Sequence, residues 1–167
     1  MRRGFVSLCA LLAVLAGCAT GVAFEPMTQA RLEGFVRDAA SASQGEGGVV
    51  EFQVEGVHLA CVSDPSNDRM RIVSPIARID DLEPEHFANA MVANFHSALD
   101  ARYAISGDIL YSAFIHPLSS LHDDELASAL RQVVGLVQTF GTTYSSGELV
   151  FRGGSGGAEE APAPESY

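Results

Sequence analysis

Two kinds of apolar pattern alternate along this chain, and their order limits the folds that it can adopt. Five short stretches alternate apolar and polar residues with the period of two that a strand requires. Three longer stretches repeat apolar residues at the spacing of a helix. Neighbouring strand-like stretches are joined by short turns such as Glu55-Gly56 and Ser106-Gly107-Asp108, which favour antiparallel pairing. The pattern therefore predicts an α+β domain with the order α-βββ-α-ββ-α.

Capping and turn residues predict where these elements begin and end. Thr28 is suited to cap the first helix and Ser120 the third, while Pro84 suits the first turn of the second helix. Pro75 is expected to end the regular pairing of the third strand. The predicted helices cover residues 28–43, 84–99 and 120–141, and the predicted strands cover residues 50–55, 57–62, 69–74, 103–106 and 109–115.

The second predicted helix carries Asn94 on or beside its apolar stripe of Phe87, Met91, Phe95 and Leu99. An unsatisfied buried amide costs about 1–3 kcal/mol. Asn94 is therefore expected to bond to the backbone of a strand or loop and to fix where this helix docks. Contact with a ligand is the alternative role for this residue.

The first 17 residues have the organisation of a secretory signal peptide. Arg2 and Arg3 supply a positive start, and a mostly apolar run covers residues 5–16. This run is shorter than the ~20 residues that a membrane-spanning helix needs. The sequence Leu15-Ala16-Gly17-Cys18 resembles the lipobox of bacterial lipoproteins. The resemblance implies cleavage before Cys18 and attachment of lipid to this cysteine.

Lipid on Cys18 would anchor the mature chain to the membrane of the cell envelope. Ala19 stands where an aspartate would retain a lipoprotein, so similarity to the sorting rule implies delivery to the outer membrane, facing the periplasm. The alternative is cleavage near Ala23, which would give a soluble secreted or periplasmic protein. The expected organisation is a signal peptide over 1–17, a short lipid-anchored tether over 18–26, one α+β domain over 27–152, and a disordered Gly/Pro/Glu tail over 153–167.

The charged residues exclude several kinds of function. The net charge is −11, and it becomes −13 when Arg2 and Arg3 are removed with the signal peptide. Such an acidic chain repels the phosphate backbone, so we expect no nucleic acid partner. All ten basic residues are arginines. The absence of lysine excludes Schiff-base chemistry, pyridoxal-phosphate attachment and a Walker-A phosphate site.

No spacing of polar residues indicates a catalytic apparatus, a metal site or a cofactor site. The run His122-Asp123-Asp124-Glu125 is best explained as charge at a helix N-terminus. Asp64, Asn67 and Asp68 fit Asx turns better than a calcium loop. Cys61 lies in an apolar strand, where a buried and inert thiol is expected. A Ser-His-Asp triad built from scattered residues has no positive support in the sequence.

One face of the predicted sheet is a candidate for contact with another protein. In the third predicted strand, Arg71 and Val73 alternate with the core positions. We expect this second face, rather than a pocket, to contact a protein partner or a second copy of the chain.

Three stretches together resemble a known fold: the strand entry at 68–72, the helix segment at 91–99, and the Gly-Asp hairpin leading into His116-Pro117-Leu118. The order of elements resembles the type III secretion chaperone-like fold, in which helices cover one face of a twisted antiparallel sheet. Within it, the chain resembles the YbjN-type family of putative bacterial sensory transduction regulators. The resemblance brings no catalytic residues and implies protein binding, often as a dimer. The secretion chaperones act in the cytoplasm, whereas this chain is predicted to be exported. Their role in binding secreted effectors is therefore not expected for this chain.

The sequence therefore predicts a non-enzymatic exported lipoprotein whose domain is a protein-binding or scaffold module of the cell envelope. The alternative is a small periplasmic hydrolase or ligand-binding protein whose site is formed by residues far apart in the sequence.

Overall fold

A computed structural model describes residues 25–143 and residue 145. The predicted signal peptide, Cys18 and the predicted tail lie outside the described residues. The elements are α1 (Gln29–Ala39), β1 (Ala42–Gln44), β2 (Val49–Val54), β3 (Val57–Asp64), β4 (Arg69–Arg78), α2 (Pro84–His96), β5 (Arg102–Ser106), β6 (Ile109–His116) and α3 (Asp123–Gln138). Among these helices, none combines the length and the hydropathy needed to cross a bilayer.

The six strands form a single antiparallel sheet with the order β1-β2-β3-β4-β6-β5. The first four strands follow one another as a meander. The chain then passes through α2 to the far edge and returns, so that β6 lies between β4 and β5. The predicted α+β class with an antiparallel sheet is confirmed, with one more strand than expected.

The additional strand arises because the first helix is shorter than predicted. Residues 28–43 were expected to be helical, but α1 ends at Ala39 and Ala40 has an extended backbone. The backbone N–H of Ser41 donates to the carbonyl of Gln53 at 2.9 Å, and Ala42–Gln44 then pair with β2. Small polar residues next to a glycine-rich turn fit an edge strand as readily as the last turn of a helix.

Pro75 ends the regular pairing of the third strand, as expected, but it does not end the strand itself. This strand, β4, continues to Arg78, and its pairing with β6 shifts register between Pro75 and Ala77. A bulge accommodates a proline, which has no N–H to donate.

Three predicted helix ends also move. His122, not Ser120, is the N-cap of α3, and its N–H donates to Glu125 at 2.8 Å. The helix α2 ends at His96 and α3 at Gln138, short of the predicted 99 and 141.

Two faces of the sheet have different surroundings. On one face, α1 contacts β2 and β3, while α3 contacts β3, β4, β5 and β6. The strand side chains buried on this face are Val50, Phe52, Leu59, Cys61, Met70, Ile72, Leu110 and Phe114. The helices contribute Leu32, Val36, Leu126, Ala129 and Val133 to the same core. The described residues place no helix over the other face, which we call the open sheet face.

A buried carboxylate fixes the loop between β1 and β2 to α1. Glu33 accepts a hydrogen bond from the N–H of Gly48 at 2.8 Å and an ion pair from Arg37 at 3.1 Å. Arg37 also donates to the carbonyl of Gly45. The backbone of Gly48 has a positive φ of 104°, and a Cβ there would lie 2.9 Å from the carbonyl oxygen of Ser63. Only glycine allows this close approach.

Candidate functional site

The helix α2 exposes the large apolar side chains that the sequence places on its stripe. Met91 is 56% exposed, Phe95 81% and Leu99 67%, and Val92 is also exposed. These four residues are called the α2 surface below. Monomeric proteins scatter single apolar residues on their surface, but three on one helix with a fourth, Leu99, just after its end form a continuous patch of the kind that contact sites use.

The side of α2 that faces the core carries small residues instead. Ala90 and Ala93 are buried, and they contact the core that includes Tyr103. The prediction that the large apolar residues form the buried stripe of this helix is therefore wrong for Met91, Phe95 and Leu99. The available signal was that α2 has apolar residues on two sides, small ones on one and large ones on the other.

A groove lies beside the α2 surface, between the end of α2 and α3. Its volume is about 310 Å³, and Leu99, Ala98, Gly135 and Leu136 are among the residues that line it. Among the described residues that line this groove, Arg131 alone is charged. The groove therefore extends the apolar area of the α2 surface onto α3.

Asn94 holds α2 against β5. Its side-chain amide donates to the carbonyl of Tyr103 at 3.0 Å and accepts the N–H of Tyr103 at 2.7 Å. The hydroxyl of Tyr103 in turn donates to the carbonyl of Leu136 on α3 at 3.1 Å. This is the contact with strand backbone that the sequence analysis expects, and it fixes the position of the α2 surface.

The open sheet face carries Arg71 and Val73, as the strand alternation predicts. Arg71 is exposed and Val73 is half-buried. A depression of about 560 Å³ is lined by residues of β1 to β4 and β6, among them Val73, Pro75 and Tyr111. The role of Arg71 and Val73 in an interface stays a prediction.

The thiol of Cys61 is not placed for nucleophilic chemistry. It is buried in the core, and burial together with the charge of Glu33 raises its pKa to about 12. A thiol with such a pKa is protonated at neutral pH and is therefore inert.

A polar depression of about 500 Å³ lies between the start of β5 and α3. It includes Arg102, His116, Asp124 and Ser128. The ring of His116 bonds the carbonyl of Pro117 at 2.8 Å and stacks on Phe114, so this histidine is held by its own strand and loop. In this depression the ring of His116 therefore bonds a backbone carbonyl rather than a serine or cysteine side chain.

The described residues contain no cluster of three or more His, Cys, Asp or Glu side chains able to hold a metal ion. The acidic run that starts α3 acts instead at the helix N-terminus, where Asp123 also pairs with Arg31 at 2.7 Å. Asp64 accepts the backbone N–H groups of Ser66 and Asn67, so it forms the expected turn. The side-chain amide of Asn67, which donates to Asp64 at 2.7 Å, and then these backbone N–H groups lower the pKa of Asp64.

No protein-family model matches the sequence, and no curated protein matches it. The fold is similar to solved structures of type III secretion chaperones. One is the HopA1–SchA chaperone–effector complex, with 11% identity and a TM-score of 0.50 over 65% of this chain and 88% of the other. The ExsC–ExsE complex gives 12% identity and a TM-score of 0.51, over 67% and 95%.

A third similar structure is the Yersinia pestis type III secretion chaperone SycH with a stable fragment of YscM2. It gives 14% identity and a TM-score of 0.50, over 67% of this chain and 98% of the other. Similarity at such low identity shows a shared fold, and the predicted chaperone-like architecture is confirmed.

Proposed function

We propose that this chain is an exported, lipid-anchored protein whose α+β domain is a non-enzymatic protein-binding module, with the α2 surface as its binding site. The observation that carries the proposal is the exposure of Met91 and Phe95 on α2, which Asn94 holds in place, and of Leu99 just after the helix ends.

The energetics favour a protein partner at this surface. Full burial of one large apolar side chain contributes about 1.5–3 kcal/mol, so three of them supply much of the free energy that a specific complex needs. The partner would lay apolar side chains along α2 and into the groove lined by Gly135 and Leu136. The similar chaperone structures are themselves complexes with a second protein, which supports binding as the role of this fold here.

Anchoring by lipid on Cys18 would hold this module at the membrane of the cell envelope. The resemblance to a lipobox supports this part of the proposal. Seven backbone steps lead from Cys18 to Glu25, whose carbonyl accepts a hydrogen bond from Arg31 of α1. At ~3.4 Å per extended residue, such a tether spans roughly 24 Å, so the module would act close to its membrane.

A photo-crosslinking experiment tests the binding site. A benzophenone amino acid replaces Phe95 in the full chain, and a matched control carries it at Ala30, which is exposed on α1. Irradiation of intact cells is expected to give one discrete adduct from position 95 and none from position 30, with the attached protein identified by mass. Leu99→Glu in the same chain should remove the adduct. Equal adducts at both positions, or none, would contradict the proposal.

A separate experiment tests the anchor. Cys18→Ala is expected to move the protein from the membrane fraction to the soluble fraction, because the acylated residue is gone. Incorporation of an alkyne fatty acid should be lost in the same variant. A variant that fractionates and labels like the parent would show that Cys18 is not the anchor.

A further inference from the structure

The chain leaves the described part of the structure close to the helix α2. Ser145 is buried, and its hydroxyl accepts the N–H of Gly141 at 2.6 Å. The same hydroxyl forms a hydrogen bond with the side chain of Tyr103, and the backbone of Tyr103 is bonded by Asn94 of α2. The C-terminal residues that follow Ser145 therefore start next to α2.

The packing of α2 against α3 sets the direction in which this chain continues. The ring of Phe140, just after α3, lies 6.0 Å from the ring of His86 in the first turn of α2. At the other end of α2, Leu99 lines a groove together with Ser128, which lies in the first half of α3. The two helices therefore run in opposite directions. A chain that continues from the end of α3 starts at the N-terminal end of α2, with the α2 surface ahead of it.

One short segment of this remaining chain is apolar. Residues 149–151 are Leu-Val-Phe, whereas residues 153–166 contain only glycine, serine, alanine, proline and glutamate. The apolar segment thus follows Ser145 after three residues, beside a helix that exposes four large apolar side chains.

We propose that residues 149–151 bind the α2 surface of their own molecule and compete there with the protein partner. The competition rests on the function proposed above for this surface, whereas the contact itself does not. The segment is an intramolecular ligand that a partner has to displace.

The length of the chain fits this contact. Along the axis of α2, Met91 lies ~8 Å and Phe95 ~14 Å beyond the first turn. An extended chain covers ~13 Å in the four steps from Ser145 to Leu149 and ~20 Å in the six steps to Phe151. Leu149 therefore reaches Met91, and Phe151 reaches Phe95.

The spacing of the side chains fits as well. Met91 and Phe95 are four residues apart on one side of the helix, ~6 Å from each other along its axis. In an extended segment, Leu149 and Phe151 point to the same side and are ~6.6 Å apart. Val150 points to the opposite side, so it provides an internal control.

Attachment to the same chain makes this small contact sufficient. Two apolar side chains bind weakly between separate molecules, but a short tether gives an effective concentration in the millimolar range. The segment then covers the α2 surface for much of the time and still yields to a partner that contacts all four apolar residues. Removal of the segment should tighten partner binding by about two- to tenfold.

Fluorescence tests the contact without any partner. The chain has no tryptophan, so Phe95→Trp places a single fluorophore on the α2 surface. Three lengths of the chain with Cys18→Ala are compared: the full chain, a truncation after Arg152 and a truncation after Gly147. The first two should emit at shorter wavelength and be quenched by acrylamide about twofold less than the third, because only they retain residues 149–151.

Point variants separate this contact from a general effect of truncation. Phe151→Ser in the full chain should expose the tryptophan as the truncation after Gly147 does. Val150→Ser is the matched control and should leave the emission of the full chain unchanged. Circular dichroism establishes that each variant is folded.

Equal emission and quenching in all three lengths would overturn the inference. Protection of the tryptophan that increases with protein concentration would also overturn it, because a second copy would then cover the surface. Equal effects of Phe151→Ser and Val150→Ser would show that the extended register is wrong and would overturn the contact as described.

The competition is measured with the crosslinker at position 95. Phe151→Ser should raise the yield of the partner adduct by about two- to tenfold, and an unchanged yield would overturn the competition. Absence of any adduct contradicts the proposed function, but it does not affect the fluorescence result. The two proposals can therefore fail separately.

Discussion

Glu33 is a charged group whose environment links folding to pH. Its carboxylate is buried, yet the N–H of Gly48 and the guanidinium of Arg37 lower its pKa below the ordinary value. The hydrogen bond from Gly48 is the larger cause, and burial opposes it. In the unfolded chain the pKa returns to about 4.3. The ionised form is therefore favoured by folding.

This linkage predicts how stability responds to acid. The contribution of Glu33 is fully present above its unfolded pKa and is lost as the pH falls through the lower folded pKa. Glu33→Gln should reduce the free energy of unfolding by about 1–3 kcal/mol at pH 7, because hydrogen bonds to a charged group are lost. The difference from the parent should shrink as the pH falls below about 4.

Urea unfolding between pH 3 and pH 7 measures this difference. Glu46→Gln is the matched control, since Glu46 is an exposed carboxylate in the same loop and should change the free energy of unfolding little. A Glu33→Gln variant with the same deficit at all pH values would show that the loss is one of packing rather than of charge.

The burial of a single residue could be predicted from the sequence where the residue lies within an apolar strand. Cys61 lies in an apolar strand, and the structure buries it. The partners of Glu33 could not be predicted in the same way. The sequence indicates the i,i+4 pair with Arg37, but the hydrogen bond from Gly48 depends on how a distant loop folds back on α1.

The position of α2 depends on one side chain more than on its apolar area. Its buried residues, Ala90 and Ala93, are small, so they contribute little surface to the core. Asn94 bonds both backbone groups of Tyr103, which is itself buried. Without that amide, the N–H and the carbonyl would be unsatisfied beneath the helix.

Asn94→Ala is therefore expected to cost about 2–4 kcal/mol in the free energy of unfolding, since two backbone groups lose their partners. Asn89→Ala is the control, because Asn89 lies on the same helix and its side chain forms no hydrogen bond with the described residues. Amide exchange at Tyr103 should accelerate in Asn94→Ala and not in the control. Retained protection at Tyr103 would mean that another group replaces Asn94.

The elements of this fold were predictable where their periodicity was long and unambiguous. The centres of α3, β3 and β6 match the predicted segments, because each has a clear apolar face. The short strand β1 could not be predicted, since Ala42–Gln44 have no apolar alternation and pair only because β2 is adjacent. The exposed side of α2 was misassigned because apolarity indicates burial in a monomer and contact in a complex equally well.

The whole domain combines one covered sheet face with one open face and an exposed helix. The fold class followed from the order of the elements, which is a property of the sequence alone. The α2 surface did not, because it depends on which apolar residues the tertiary packing leaves outside. The open sheet face was foreseen through Arg71 and Val73, while the α2 surface was visible only in the structure.

Residues 153–167 are predicted to be dispensable for folding. They lie outside the described residues, and their glycine, proline and glutamate show no apolar periodicity that could bury surface. Truncation after Arg152 should shift the thermal unfolding midpoint by less than about 2 °C. Calorimetry of the full and truncated chains checks this, and a fall of several degrees would show that the tail packs on the domain.

The contact between Asn94 and Tyr103 has a consequence for aggregation. A strand at the margin of a sheet offers unpaired backbone groups to any passing extended chain, and repeated addition leads to fibrils. At the edge strand β5, the side-chain amide of Asn94 already bonds the N–H and the carbonyl of Tyr103. At the opposite edge of the sheet, the strand β1 is only three residues long. Both margins thus resist templated polymerisation. A partner bound at the proposed α2 surface would therefore end the assembly, because no further strand could be added at either margin.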